Sequence, residues 1–94
     1  MSGSTPLERA VAGEIVRLAR AQLGPGVPAP SPGEPLAARL DSLALLALAV
    51  AVEDRFHVAL RDDDAAEAAT LEGLARLVVA RAPPDRLPSP EAPC

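Results

Sequence analysis

The fold class this sequence predicts is a small all-α bundle: three main helices plus one short helix, with a long loop between the first and second. Three observations carry it. Apolar residues recur at three- and four-residue spacing in three separate stretches, which is the helical period. No window shows the alternation of two that a half-buried strand needs. Proline crowds the segments outside the helical stretches, with five between residues 25 and 35 and more from Pro83 onward. The 94 residues suffice for one domain and leave no room for a second core. The folded part is expected over residues 5–82, followed by a Pro-rich, disordered tail over 83–94.

The first helix has a clear start. Thr5 is placed to cap it, Pro6 suits the first helical position, and Glu8 completes a capping box. Leu7, Val11, Ile15 and Leu18 then share one face, and Gly24 with Pro25 should end the helical stretch of residues 7–23. In the loop over 24–40, Pro25, Pro28, Pro30, Pro32 and Pro35 exclude a helix, and their missing N–H groups exclude a central strand.

The second helix should begin at Asp41 or Ser42 and run to Phe56. Leu45, Leu48, Ala49, Val52 and Phe56 fall on its core stripe, with packing expected against Leu18 and Leu74. Its opposite side carries Leu43, Leu46, Ala47 and Val50, with charge only at Glu53, Asp54 and Arg55. An ordinary surface helix is polar there. Contiguous apolar patches mark interaction sites, unless the loop around Leu36 covers part of this one. Asp62–Asp64 with Ala65, Ala66 and Glu67 reads as a capped single turn. Thr70 caps the last helix, whose buried stripe is Leu71, Leu74, Ala75 and Val78, and Pro83-Pro84 ends it.

Composition excludes several functions. Net charge is −4, the isoelectric point is about 4.8, and Phe56 is the single aromatic residue. A nucleic-acid binder would need basic patches and stacking platforms. The longest apolar run, Leu43 to Val52, is too short to span a bilayer. Cys94 is the lone cysteine, so no disulfide framework exists within the chain, and a reducing, cytoplasmic setting is expected. Met1 to Pro6 shows no signal-peptide pattern.

Few residues are candidates for chemistry. Asp62–Asp64 lacks the alternating ligands, the central glycine and the terminal glutamate of a calcium loop, and reads as a solvated cap cluster. His57 has no partner at metal-ligand spacing and reads as a surface histidine at a helix end. Cys94 has no activating neighbour. No metal site and no catalytic residues are expected.

Asp41-Ser42-Leu43 differs in kind, because it stands where the long loop turns into the apolar helix. An aspartate there is usually just a cap. Its setting, however, resembles the acyl carrier proteins over residues 7–81. The stretches that carry the resemblance are Leu40-Asp41-Ser42-Leu43, Val52-Glu53-Asp54-Arg55-Phe56, Asp62, and Thr70-Leu71 with Leu74. The resemblance implies a non-catalytic carrier whose Ser42, flanked by Asp41 and Leu43, receives a 4'-phosphopantetheine arm from coenzyme A. The arm's thiol would hold an acyl group as a thioester. Implied partners are a phosphopantetheinyl transferase and acyltransferase, ketosynthase or other assembly-line enzymes; Glu53 and Asp54 remain of the family's acidic face, the outer apolar face of Leu43, Leu46, Ala47 and Val50 is the expected contact surface, and a monomer is expected.

The chain departs from the family pattern at several points. Arg39 stands where the family usually has glycine, so a strained turn is expected if positive φ is required there. Ala44 and Ala47 replace acids that basic partner enzymes read, and Arg55 replaces another. These changes, the Pro-rich loop and the tail favour polyketide or other specialised metabolism over housekeeping fatty-acid synthesis. Ala38-Arg39-Leu40 fits an acyl carrier better than an aminoacyl or peptidyl one. An unmodified, carrier-like interaction module is the other open reading.

Overall fold

Thr5 opens the first helix as a capping box: its hydroxyl accepts from the Glu8 N–H at 3.1 Å, and Glu8 accepts from the Thr5 N–H at 3.3 Å. The structure, a computed structural model, describes residues 5–23 and 26–88. Its three helices are α1 (Pro6–Arg20), α2 (Ser42–Phe56) and α3 (Leu71–Arg81). Short 3-10 turns lie at Leu36–Ala38, Asp62–Asp64, Glu67–Ala69 and Pro84–Arg86. Among the described residues the only bridge of β type is an isolated antiparallel one between Pro35 and Thr70.

Helix α1 stops at Arg20, with Ala21 as its cap residue, three residues before the Gly24-Pro25 stop expected from sequence. Gly24 and Pro25 themselves lie outside the described residues. The loop was expected to hold no helix, yet the chain makes one 3-10 turn at Leu36–Ala38. Pro35 causes no conflict there, because it precedes the turn and no N–H is required of it. The acidic segment forms two separate 3-10 turns instead of one capped turn. Helix α3 runs as its stripe requires, with the Thr70 hydroxyl accepting from the Gly73 N–H at 3.0 Å. A Cβ on Gly73 would lie 1.8 Å from the Glu67 carbonyl oxygen, so only glycine lets the preceding turn approach this closely.

The core gathers one stripe from each helix. Val11, Ile15 and Ala19 of α1 meet Leu48, Val52 and Phe56 of α2 and Leu71, Leu74, Ala75 and Val78 of α3. Leu36, Leu40 and Val58 enter it from the connections. Leu7 and Leu18, expected on the core face, are only partly buried, because the face rotates toward Ala19. Leu45 and Ala49 are likewise half-buried. Of the Pro-rich segment from residue 83, Leu87 packs against the core, and residues 89–94 lie outside the described region.

Ion pairs fasten the bundle at its edges. Glu14 of α1 binds Arg55 of α2 through Nε at 3.1 Å and Nη2 at 2.9 Å, and also pairs with Arg17. The Arg17 and Arg55 guanidinium groups hold the Glu14 carboxyl below its usual pKa. The Arg55 guanidinium also lies 5.7 Å from the centre of the Phe56 ring.

Phe56 is the largest of the fully buried side chains. Phe56→Ala should cost about 3–5 kcal/mol, as large-to-small core changes do. A domain this small has about 5 kcal/mol or somewhat more to lose. Thermal melts followed by circular dichroism should show a partly unfolded variant; a midpoint within a degree or two of the parent's would contradict the packing described.

Candidate functional site

The loop before α2 is strapped to the start of α3. The Glu72 N–H donates to the Pro32 carbonyl at 2.9 Å, and the Pro35–Thr70 bridge lies beside it. Leu36 and Leu40 then drop into the core. The turn between them closes through N–H bonds from Ala38 to Pro35 and from Arg39 and Leu40 to Leu36, each 3.0 Å. Arg39 has φ −120° and ψ −21°. The strained turn expected at Arg39 is therefore absent: a negative φ is open to any residue, and no glycine is needed.

Asp41 follows in extended conformation, and its Oδ1 accepts from the Ala44 N–H at 2.8 Å. Its carbonyl accepts from the Leu45 N–H at 2.8 Å. The helix therefore begins at Ser42, which is exposed. The first N–H groups of any helix have no acceptor within it and point outward with the positive end of the dipole. An anion attached to a side chain at this position would lie against them. Ser42 thus combines an accessible hydroxyl with a setting suited to a phosphodiester.

A cavity of about 320 Å³ lies against the first two turns of α2. Its α2 wall is Leu45, Leu48 and Ala49. Ser42, Leu45 and Ala49 are spaced i, i+3 and i+7, one helical face, so Leu45 lies one turn beneath the serine. Pro35, Leu36 and Ala37 form a second wall, Leu74 stands at the α3 side, and Leu60, Ala65, Ala68 and Ala69 close the remainder. Every lining side chain is apolar.

The wall formed by residues 60–69 is clasped to α3. Asp64 is buried, and both of its oxygens accept from Arg81, at 2.5 and 2.8 Å. The Arg61 N–H donates to Asp64 at 2.9 Å, and Arg81 also reaches the Ala59 carbonyl at 3.3 Å. Arg81, and then the Arg61 N–H, pull the Asp64 carboxyl down to a pKa of about 2. Asp64 is therefore not the solvated residue expected from sequence, because its charge is consumed by the arginine of α3. Asp62 and Asp63 are exposed. A second pair, Glu67 to Arg76 Nε at 2.9 Å, ties the next turn to the same helix.

On the far side of α2, Leu43, Leu46 and Val50 are 76%, 62% and 50% exposed, and Ala47 between them is half-buried. Leu36 is in the core and does not cover them. Glu53 is half-buried, and one of its oxygens accepts from the Leu60 N–H at 2.8 Å, while Asp54 is exposed. His57 is exposed too, capping α2 with φ 54°. Among the described residues no group of three or more His, Cys, Asp or Glu side chains could hold a metal, and no helix is long and apolar enough to cross a membrane. Cys94 lies outside them.

The sequence reading placed Ser42 at the head of α2 but missed the cavity. The alanines at 65, 66, 68 and 69 were the available signal, since side chains that small leave space wherever they face a helix. It also missed the pairs Glu34–Arg39 and Asp64–Arg81, whose partners are brought together only by the fold.

A family model described as phosphopantetheine attachment site matches residues 13–78. No curated protein and no solved structure matches the chain.

Proposed function

Because the chain belongs to the phosphopantetheine attachment site family, we propose that it carries an acyl group on an arm at Ser42 and presents it to biosynthetic enzymes. The family makes it a phosphopantetheine-carrying protein, with the group attached covalently and with a phosphopantetheinyl transferase and downstream enzymes as its partners. Once attached, 4'-phosphopantetheine supplies a terminal thiol that can be acylated to a thioester. The chain's own residues present, orient and shelter. Ser42 offers an exposed hydroxyl at the first position of α2. The Asp41 cap fixes where that helix begins. Catalysis belongs to the partners, and the chain is read as a non-enzymatic carrier whose domain over residues 5–82 is extended by the turn at Pro84–Arg86 and by Leu87 against the core.

One observation carries the acyl reading: the all-apolar cavity lies on the Ser42 face of α2. A hydrocarbon chain would gain by leaving water for it, at about 0.8 kcal/mol per buried CH₂. An aminoacyl or peptidyl cargo would bring polar groups for which the lining has no hydrogen-bonding side chain, and burying them unpaired is costly. The intact Asp41-Ser42-Leu43 with an exposed serine favours a modified carrier over a bare interaction module. Ala44 and Ala47, where acids are usual in the family, support a polyketide or other specialised pathway. The absence of cysteine from residues 1–93 supports a reducing, cytoplasmic setting.

Partner recognition is read as chiefly apolar, through Leu43, Leu46, Ala47 and Val50 with Asp54 at the margin, the carrier acting as a monomer. Glu53 is half-buried and one of its oxygens accepts from the Leu60 N–H, so less of its carboxylate is open to a partner.

Two experiments test this reading. The parent incubated with coenzyme A and a broad-specificity phosphopantetheinyl transferase should gain one arm by intact mass. Ser42→Ala should keep its helical spectrum and gain none; an arm on the variant would overturn the assignment. For the partner face, Leu46→Glu should impair acyl transfer to the cognate enzyme while leaving the fold intact, and parent association should vary little with salt. A steep loss of association with salt, together with indifference to Leu46→Glu, would mean that acidic side chains carry recognition.

A further inference from the structure

Arg39 lies three residues before Ser42, at the point where the loop commits to the helix. Its backbone is unstrained, and its side chain turns back along the loop to Glu34. The Nε of Arg39 donates to both oxygens of Glu34, each at 3.2 Å, with the two side chains 31% and 24% exposed. Glu34 Oε1 also accepts from the Ser31 N–H at 3.0 Å. The Ser31 N–H, and then Arg39, hold the Glu34 carboxyl below its usual pKa, so the pair is charged at neutral pH.

This geometry closes residues 31–39 into a ring through one carboxylate. The ties from α3 reach only the first half of that ring, at Pro32 and Pro35. The half nearest Ser42 is held by Leu36 in the core at its start, and beyond that by the 3-10 turn and the Arg39 side chain. Leu40 is anchored in the core immediately afterwards, and Asp41 caps α2. A shift of the ring therefore changes how the approach to Ser42 is presented.

We propose that Arg39 is a positioning residue for attachment of the arm: through Glu34 it holds the loop in the shape that the phosphopantetheinyl transferase docks against. The inference rests on Ser42 being the attachment residue. A half-exposed pair biases a loop only a few-fold. Without it, a smaller fraction of molecules has the competent loop, and apparent affinity falls in proportion. Molecules that do dock react as before, so KM rises and kcat stays. A pair that merely stabilised the fold would change melting temperature and leave KM alone.

The test is steady-state loading of the full chain from coenzyme A by a broad-specificity transferase, with carrier concentration varied. Amide exchange at Arg39 and Leu40 is measured in parallel. Arg39→Met and Glu34→Gln should each raise KM about three- to fivefold with kcat nearly unchanged, and should quicken exchange at both amides by a similar factor. Arg39→Lys, which restores a donor to Glu34, should recover most of the loss. Glu34→Gln probes the same pair from the other side should Arg39→Met unfold. Parental KM in both Arg39→Met and Glu34→Gln would overturn the proposal, as would an Arg39→Lys variant as poor as Arg39→Met. Continued loading of Ser42→Ala would overturn the attachment assignment and this inference with it.

Discussion

The cap that Asp41 places on α2 is the constraint on which the site depends. By accepting from the Ala44 N–H, it fixes the first helical residue as Ser42. A start one residue later would put the serine at the cap, outside the helical register. Because the helix starts where it does, Ser42 shares a face with Leu45 and Ala49, and those two residues line the cavity. The same register turns Leu43, Leu46 and Val50 outward. One hydrogen bond of 2.8 Å thus sets the place of Ser42, its relation to the cavity and the exposed face together.

Helix α2 could not hold this arrangement alone. Its C-terminal half is fixed by Val52 and Phe56 in the core and by the Glu14–Arg55 pair to α1. Its N-terminal half stands over the cavity, whose walls combine the core residues Leu36 and Leu74 with segments fastened by ion pairs. Glu34–Arg39 closes the loop on one side, while Asp64–Arg81 and Glu67–Arg76 draw the other wall onto α3. Exposed pairs of this kind are weak individually. Asp64 is the stronger case, because it is buried and bound by both arms of a guanidinium. An apolar space left open beneath α2 costs packing energy that a filled core would recover. Such a cost fits the proposal that the cavity takes in an apolar chain.

Much of this was legible in the sequence because it is local. The Thr5 and Thr70 caps, the start of α2 at Ser42 and the stripe of α3 all follow from residues within a few positions of one another. So does the outward apolar face of α2, whose excess over one core stripe is visible in the period alone. Apart from the Glu34–Arg39 pair, which needs the loop's shape, the features that were not legible are those joining distant residues. The Asp64–Arg81 pair spans 17 positions and the Glu14–Arg55 pair 41. The acidic run at 62–64 looked solvated because the arginine that binds Asp64, Arg81, lies 17 positions away. The expected strain at Arg39 rested on the usual glycine of the resembled family. The turn at Leu36–Ala38 delivers the chain to Asp41 with negative φ and removes that requirement.

The central claim is that the arm at Ser42 and the cavity beneath it work as one device. It is tested most directly by NMR of the full chain carrying an octanoyl group on the arm, with methyl-labelled leucine and alanine. Contacts are expected between the octanoyl methylenes and the methyl groups of Leu45, Leu60 and Leu74, with shifts that the unacylated arm does not produce. Methyl resonances unchanged between the two forms, with an octanoyl chain that gives contacts only to solvent, would contradict it.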